Sequence, residues 1–442
     1  MASRAPSPAR RAALRVIRRV AEQGAFADQA LHSEAAGLDP RERALARQLA
    51  FGAIQRRRTL DHVVGELTGG RRKLDPPVRA ALHLGLVQLL FLDGIPDHAA
   101  VAETVELAKR NRGAGLVNAV LRRATREGRA VVEAIDDEAV RHSIPDWLAS
   151  LWRDAYGADT SSALMRRANE PLELALRVNR LKATPEEVAA AVGGRAVAAV
   201  GGRAVGEAVG GDGGATAAEA PAAAAAAETP DAVVVDGPLD AHAHPLWHAG
   251  AYMPQSRSSQ RVAPLTGAQP GERVLDLCSA PGGKATHLAA LMRNEGEVVA
   301  VERDPDRADA LRATVERMGA TIVDVHVADA ADPRTDGPFD RVLVDPPCSG
   351  LGTLQSKPDL RWRMTPERIA GLVAEQRRIL AAAAAAVRPG GVVVWSTCTL
   401  NPAENEELLR DLDRFTVTER LVLMPHETGS AGFQLTRLES AA

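Results

Sequence analysis

The chain has 442 residues, of which 45% are hydrophobic and 25% are charged. This length fits two or three globular domains, and this composition excludes wholesale disorder, a collagen-like fibre and a long coiled coil. The net charge of −3 hides an uneven distribution, because residues 1–130 hold 23 Lys and Arg against 13 Asp and Glu, a net of +10, and the remainder has a net of −13.

The sequence contains neither a membrane-spanning stretch nor a disulfide framework. The longest nearly apolar stretch, residues 82–92, is far shorter than the roughly 20 residues that cross a bilayer. The three cysteines are an odd number without metal-ligand spacing, which argues against both disulfides and a structural zinc site. We therefore expect a cytoplasmic protein that neither enters a membrane nor needs a metal.

Residues 1–130 have a helical pattern throughout. Apolar residues recur at spacings of three, as in Leu14, Ile17 and Val20, and proline-containing breaks separate the segments. The pattern predicts a small all-α domain, and its positive charge predicts contact with a polyanion such as RNA. A single basic run, such as residues 56–58, is better explained as a solvated helix face, so the prediction rests on the net excess.

Two shorter regions follow the helical domain. Residues 139–192 predict a small α/β subdomain, with a strand at 174–179 and a helix that begins after the N-cap residue Thr184. Residues 193–231 are dominated by Ala and Gly. They have too few large apolar side chains to offset the entropy lost on ordering, which predicts a low-complexity insertion.

In residues 232–442, short apolar runs alternate with helical stretches. The runs that are apolar on both faces lie at 273–278, 297–302, 341–345 and 391–396, with a weaker one at 322–327. Such runs are typical of buried parallel strands, and the intervening stretches are long enough for crossover helices. We therefore predict a doubly wound, mostly parallel, Rossmann-like α/β sheet that binds its ligand at the carboxyl ends of the strands.

Three features at predicted strand ends indicate a nucleotide-type ligand. Residues 278–284 form a glycine-rich turn that feeds a helix, and such a helix N-terminus favours a carboxylate or phosphate. Glu302 ends the next strand, where an acid can accept both hydroxyls of a ribose, and Asp329 could accept an adenine amino group. Either acid alone is more often a helix cap or a solvated charge. Together they predict an adenosine-bearing ligand.

Two cysteines also follow predicted strands. Cys348 lies in Asp345-Pro-Pro-Cys-Ser-Gly350, and Cys398 lies in Ser396-Thr-Cys-Thr. A free cysteine is usually a small buried hydrophobe, and we keep that interpretation for the sulfur of Cys278. The other two would meet at one rim if their strands are neighbours, which predicts a thiolate nucleophile beside an acid.

These blocks resemble the signature motifs of the RsmB/Sun family, the S-adenosylmethionine-dependent RNA cytosine-C5 methyltransferases. The resemblance rests on Asp-Leu-Cys-Ser-Ala-Pro-Gly-Gly-Lys, Asp-Pro-Pro-Cys-Ser-Gly and Ser-Thr-Cys-Thr-Leu-Asn-Pro-Ala-Glu-Asn. Residues 95–108 and 115–123 are similar to the NusB-like RNA-binding domain of the bacterial 16S ribosomal RNA enzyme. The resemblance covers nearly the whole chain apart from the Ala/Gly insertion, and it makes residues 232–442 the methyltransferase domain.

The resemblance implies a site for S-adenosylmethionine. Its methionine end would be held by the glycine turn, that is by Cys278, Ser279, Ala280, Pro281, Gly282, Gly283 and Lys284. Glu302 would bind the ribose, Asp329 the adenine, and Asp345 would also border the cofactor. The family often has Asp where this chain has Glu302, and the longer carboxylate can still bridge a diol.

The resemblance also implies the catalytic roles. Cys398 would be the nucleophile that adds to C6 of a flipped cytosine, so that C5 can attack a sulfonium methyl group. Asp345 would hydrogen-bond the base near N3 and N4. Cys348 would help to remove the C5 proton or to release the product. Enzymes that act on DNA use the Pro-Cys cysteine as nucleophile, whereas the RNA family uses the Thr-Cys cysteine, and this chain has both.

The expected substrate is 16S ribosomal RNA that is not fully assembled, methylated by a monomer. A tRNA substrate fits the same chemistry, and only the N-terminal domain argues against it. A non-catalytic RNA-binding assembly factor with a vestigial fold is the other alternative.

Two weaker features complete the sequence analysis. His242, His244 and His248 have a spacing that could hold a metal. Three basic residues are either phosphate contacts or salt-bridge partners, namely Arg257, Lys284 and Arg361.

Overall fold

The computed structural model describes residues 6–70, 74–109, 113–197, 203–204, 232–334, 336–410 and 412–442. The chain divides into two compact units. The first comprises Met1–Pro171 and Leu354–Arg363, and the second comprises Leu172–Thr353 and Met364–Ala442. The low-complexity insertion predicted at 193–231 lies outside the described residues except for 193–197 and 203–204.

The first unit is helical, which confirms the predicted all-α fold of the N-terminal region. Its helices are Pro8–Gln23, Ala27–Glu34, Pro40–Gln55, Arg57–Leu67, Pro76–Phe91, Asp97–Ala108, Ala114–Glu133, Glu138–Arg141, Asp146–Tyr156, Ala158–Arg167 and Leu360–Arg363. Pro76–Phe91 is buried along most of its length. It closely approaches Ala114–Glu133, because a Cβ at Gly85 would lie 2.5 Å from Cδ1 of Leu121. Pro8 and Pro40 stand in first turns, where their missing N–H costs nothing.

Arg361 and Trp362 belong to the first unit although they lie far along the chain. Arg361 is fully buried. Its guanidinium donates to the carbonyl oxygens of Gln55 at 3.0 Å, Ser143 at 3.2 Å, Ala168 at 3.0 Å and Leu354 at 3.4 Å, and to Oδ1 of Asn169 at 3.1 Å. Nε1 of Trp362 donates to the carbonyl of Ile54 at 2.7 Å. Arg361 therefore binds backbone of its own unit, which corrects the phosphate-contact interpretation.

The described strands of the second unit form two sheets. In chain order they are β1 (Ala175–Val178), β2 (Gly194–Val197), β3 (Arg203–Ala204), β4 (Ala232–Val235), β5 (Tyr252–Pro254), β6 (Arg273–Leu277), β7 (Glu297–Glu302), β8 (Val323–Val327), β9 (Phe339–Val344), β10 (Val387–Thr397), β11 (Phe415–Leu423) and β12 (Phe433–Ser440). The small sheet has the antiparallel order β2-β4-β1-β5. Helix Pro185–Val192 packs on it and begins after the predicted N-cap residue Thr184, which forms a capping box with Glu187.

The large sheet has the order β3-β11-β12-β10-β9-β6-β7-β8. The five strands from β10 to β8 are parallel, and β12 is antiparallel to both of its neighbours. This arrangement confirms the predicted Rossmann-like fold. β12 lies between β10 and β11, so it is an internal strand of this sheet and not an edge strand.

Helices cover both faces of the large sheet. Leu343 packs towards a cluster that includes Leu288 of Gly283–Leu291 and Leu311 of Pro305–Met318. Its neighbours along β9 pack on the opposite face against Ile379 of the crossover helix Pro366–Ala386. Shorter helices are Pro245–His248, Arg257–Gln260, Val262–Leu265 and Pro425–Thr428, with 3-10 turns at Leu351–Thr353 and Pro402–Glu404. Among the described residues, no helix is both long and apolar enough to cross a membrane.

Replacing the buried arginine of the first unit tests its structural role. Arg361→Ala leaves the carbonyls that it binds without donors in a dry environment. We expect the free energy of unfolding to fall by about 3 kcal/mol, which corresponds to roughly 6–12 °C in the melting midpoint. Circular dichroism melting would measure the change, with exposed Arg41→Ala as the matched control. Equal midpoints for the two variants would contradict the assignment.

Candidate active site

The strand order brings three loops to one rim of the large sheet. β9 pairs in parallel with β6 on one side and with β10 on the other. The loops that follow β6, β9 and β10 therefore leave the sheet next to one another, because carboxyl ends of parallel strands share an edge. These loops carry the glycine turn, Cys348 and Cys398.

The glycine turn leads into a helix whose first turn is not capped by a side chain. Gly282 has φ +99° and is the N-cap of Gly283–Leu291, without a side-chain cap hydrogen bond. A Cβ at Gly282 would lie 2.7 Å from Cδ1 of Leu311, so a larger residue would fit neither the backbone nor the space. The backbone N–H groups at the start of this helix are suited to bind an anionic group.

Asp276 lies directly beneath this turn, and sequence reasoning assigned it no role. It is fully buried, and its Oδ2 accepts a 2.7 Å hydrogen bond from Ser279 Oγ. Its Oδ1 has no hydrogen-bond partner among the described residues. Burial raises the pKa of Asp276 to about 7, although the hydrogen bond from Ser279 and the charge of Lys284 act in the opposite direction.

Two acidic residues follow the next strands. Glu302 at the end of β7 is almost fully buried, and its carboxylate accepts from the backbone N–H of Asp304 at 3.1 Å. Asp329 follows β8 and accepts from the N–H of Ala331 at 2.9 Å. Val327 pairs in register with Glu302 and is 47% exposed. An exposed apolar side chain beside Glu302 and Asp329 is suited to cover a flat ring. The sequence pattern of β8 did not predict that the side chain of Val327 is exposed.

The two rim cysteines lie in direct contact. Sγ of Cys348 and Sγ of Cys398 are 3.3 Å apart, and both residues are partly exposed. The hydrogen bond with Cys398 and the burial of the thiol raise the pKa of Cys348 well above its ordinary value. Cys348 therefore keeps its proton and can donate a hydrogen bond to the neighbouring sulfur. Burial also raises the pKa of Cys278, which makes that thiol unreactive.

Lys284 and Asp345 form an ion pair beside the cysteines. Lys284 Nζ lies 2.5 Å from Asp345 Oδ2. Burial lowers the pKa of Lys284, but the charge of Asp345 and its hydrogen bond outweigh that effect, so the pKa is raised. Ser396 Oγ donates to the other carboxylate oxygen at 3.4 Å. Lys284 is thus a salt-bridge partner of Asp345 rather than a free phosphate contact.

Two other sequence candidates have structural partners. Arg257 forms a two-pronged ion pair with Glu173, at 2.6 and 2.9 Å, and donates to the carbonyl of Thr428 at 3.0 Å. It is therefore a structural link within the second unit.

The three histidines of the candidate metal cluster do not form a ligand set. His242 packs edge-on against Trp247, and His244 Nδ1 accepts from a backbone N–H. No group of three metal-ligating side chains occurs within the described part of the chain.

Comparisons with known proteins agree with this architecture. The NusB family model matches residues 7–126, a ferredoxin-like domain model of RsmF/B-like methyltransferases matches 144–210, and the 16S rRNA methyltransferase RsmB/F model matches 264–436. The probable ribosomal RNA small subunit methyltransferase B of Synechocystis is 34% identical over 469 residues, covering 98% of this chain and 99% of the relative. Ribosomal RNA small subunit methyltransferase B of Xanthomonas campestris is 35% identical, covering 90% of this chain and 85% of the relative.

A solved structure, that of PH0851, has a TM-score of 0.76 and 24% identity and covers 99% of both chains, which shows a shared fold. Fold and family matches together define a Rossmann-like methyltransferase. The chain belongs to the RsmB/F family of 16S rRNA methyltransferases, and its N-terminal region matches the NusB family. The resemblance to the RsmB/Sun family drawn from the sequence blocks is confirmed.

The raised pKa of Asp276 predicts a pH dependence of stability. Between the ordinary value of 3.8 and about 7, the folded protein holds a proton that the unfolded chain has released. Stability from this group should therefore fall as the pH rises through that window. Asp276→Asn removes the titration, so its melting midpoint relative to that of the wild type should be higher at about pH 8 than at about pH 5.

Exposed Asp309→Asn is the matched control, because 76% of the Asp309 side chain is exposed. Its midpoint difference from the wild type should be the same at both pH values. A difference for Asp276→Asn that does not change with pH would contradict the raised pKa.

Proposed function

We propose that this protein transfers a methyl group from S-adenosylmethionine to C5 of a cytosine in 16S ribosomal RNA through a covalent bond between Cys398 and C6. The observation that carries the proposal is the 3.3 Å contact between the sulfurs of Cys348 and Cys398 at the rim that also holds Lys284 and Asp345. A structural cysteine would not need a second thiol and an ion pair beside it.

The residues around the glycine turn fit S-adenosylmethionine. The uncapped first turn of Gly283–Leu291 offers N–H donors for a carboxylate, and Glu302 offers acceptors for a ribose. Asp329 would accept from the adenine amino group. The other residues of the turn, Cys278, Ser279, Ala280 and Pro281, would border the methionine end, with Lys284 and Asp345 on the side towards the base. When bound, the cofactor supplies an electrophilic methyl group.

Cys398 acts as the nucleophile in this mechanism. Its sulfur adds to C6 of the cytosine, and C5 then gains the electron density that it needs to attack an electrophilic carbon. Cys348 supports the nucleophile because it keeps its own proton and hydrogen-bonds to the other sulfur. Asp345 hydrogen-bonds the base near N3 and N4, and Lys284 holds that carboxylate in place. Once Cys398 is bonded to C6, it no longer holds the proton on Cys348, and Cys348 then assists removal of the C5 proton or release of the product.

The RNA substrate follows from the family and from charge. The relatives named above are ribosomal RNA small subunit methyltransferases. Residues 1–130 have a net charge of +10, which suits an RNA backbone. We assign this region as a NusB-like RNA-binding domain that holds 16S ribosomal RNA before assembly is complete, when a cytosine can still be flipped out of its stack.

Removal of the nucleophile tests the reaction. Cys398→Ala should abolish methylation and leave cofactor binding unchanged, because the glycine turn is intact. The measurement is transfer of a labelled methyl group to 16S ribosomal RNA from cells that lack the gene, with mapping of 5-methylcytidine by mass spectrometry. Calorimetric binding of the cofactor is the control. Wild-type turnover in this variant would rule out the assignment.

Replacement of the second cysteine should have a different effect. Cys348→Ala keeps the nucleophile but removes the group that assists the later steps, so a covalent complex with RNA should accumulate. A denaturing gel would detect this complex as a slowly migrating band that contains both protein and RNA. The band should be absent from Cys398→Ala and from the double variant. A band with Cys398→Ala instead would assign the nucleophile to Cys348.

A further inference from the structure

Glu404 is a buried carboxylate that the mechanism above does not use. It closes the 3-10 turn Pro402–Glu404, six residues after Cys398, and it has no exposed surface. Its carboxylate accepts from the backbone N–H of Ser349 at 2.8 Å, from Ser349 Oγ at 2.5 Å, from Gln376 Nε2 at 3.1 Å and from Asn401 Nδ2 at 3.0 Å. A buried charge costs free energy unless it is well satisfied, and this one is.

The donors connect Glu404 to both cysteine loops. Ser349 directly follows Cys348, and its hydroxyl also contacts Thr399 Oγ1 at 2.7 Å, directly after Cys398. Gln376 donates to the carbonyl of Pro347 at 2.8 Å, directly before Cys348. The backbone on each side of the Cys348 loop and the residue after Cys398 are therefore fixed through one carboxylate.

A carboxylate is the group that this position requires, because four donors converge on it. It accepts hydrogen bonds on both oxygens and donates none. A glutamine would turn an N–H₂ group towards donors that it cannot pair with, so one of the two loops would have to move. A displacement of about 1 Å near a reacting group can cost about 100-fold in rate.

We propose that Glu404 is a positioning residue that sets the distance between the sulfurs of Cys348 and Cys398. The inference rests on the proposed function for its catalytic consequence, but the sulfur spacing can be measured without RNA. The negative charge of Glu404 also affects the thiol of Cys348. After the hydrogen bond with Cys398, the burial of the thiol and the charge of Cys398, the charge of Glu404 further raises the pKa of Cys348.

The test compares Glu404→Gln with Glu407→Gln, a matched control three residues along the same segment whose side chain is exposed. Turnover is measured with 16S ribosomal RNA at saturating cofactor. Glu404→Gln should lower kcat about 100-fold and leave KM for RNA within about twofold of the wild type, because the RNA and cofactor contacts are unchanged. Glu407→Gln should match the wild type in both constants. Wild-type kcat in Glu404→Gln would overturn the proposal.

Phenylarsine oxide reports on the sulfur spacing itself. Its trivalent arsenic forms one bond to each of two neighbouring thiols, and its oxygen leaves with both protons as water. The wild type should bind one arsenical, detected by intact mass, and Cys348→Ala should bind none through a stable bridge. Glu404→Gln should form the bridge at least about tenfold more slowly, because its sulfurs lie farther apart. Bridging at the wild-type rate would overturn the proposal.

A second variant covers the case in which Glu404→Gln does not fold. Ser349→Ala removes the hydroxyl between Glu404 and Thr399 and keeps the backbone hydrogen bond to Glu404. It should show the same slower bridging and the same fall in kcat without a change in KM, and unchanged values for both would overturn the proposal. Failure of the proposed function is separate, because it appears as methylation by Cys398→Ala, whereas the bridging measurement involves neither RNA nor methyl donor.

Discussion

The parallel pairing of β9 with β6 and with β10 is the constraint on which the site depends. Neighbouring strands lie about 4.8 Å apart, so loops that leave their carboxyl ends start within reach of one another. A strand inserted between β9 and β10 would separate the sulfurs of Cys348 and Cys398 by a further strand spacing. The strand order therefore determines that two residues fifty positions apart in sequence meet at a hydrogen-bonding distance.

Two carboxylates hold the loops of this rim in place. Asp345 is bound by Lys284 from the glycine turn, which links the loop after β6 to the loop after β9. Glu404 links the loop after β9 to the loop after β10. Each carboxylate thus connects adjacent loops, and neither could be replaced by an apolar residue without leaving donors unpaired in the interior. Burial of a charge generally costs stability, but at this rim the carboxylates fix the relative positions of the loops.

Local patterns in the sequence predicted the helices and strands. Most contacts between residues far apart in sequence could not be predicted. Strands apolar on both faces, such as β9, are recognisable because burial on two sides removes alternation. Cys348 and Cys398 were located because each lies in the loop that follows such a strand. The structural role of Arg361 was not predicted, since all but one of its acceptors lie about 190 to 310 positions earlier in the chain and no local pattern reports them. Glu404 was read as part of a motif only, because its role depends on donors from three separate segments.

The segment Leu354–Arg363 makes each of the two units discontinuous in sequence. The chain leaves the second unit after Thr353, contributes ten residues to the first, and returns at Met364. A fragment that begins at Leu172 would therefore contain the guanidinium of Arg361 without most of its acceptors and the indole of Trp362 without its backbone acceptor. Dividing this protein into independently folding halves, whether by recombination during evolution or by cloning, requires excision of those ten residues and a new join between Thr353 and Met364.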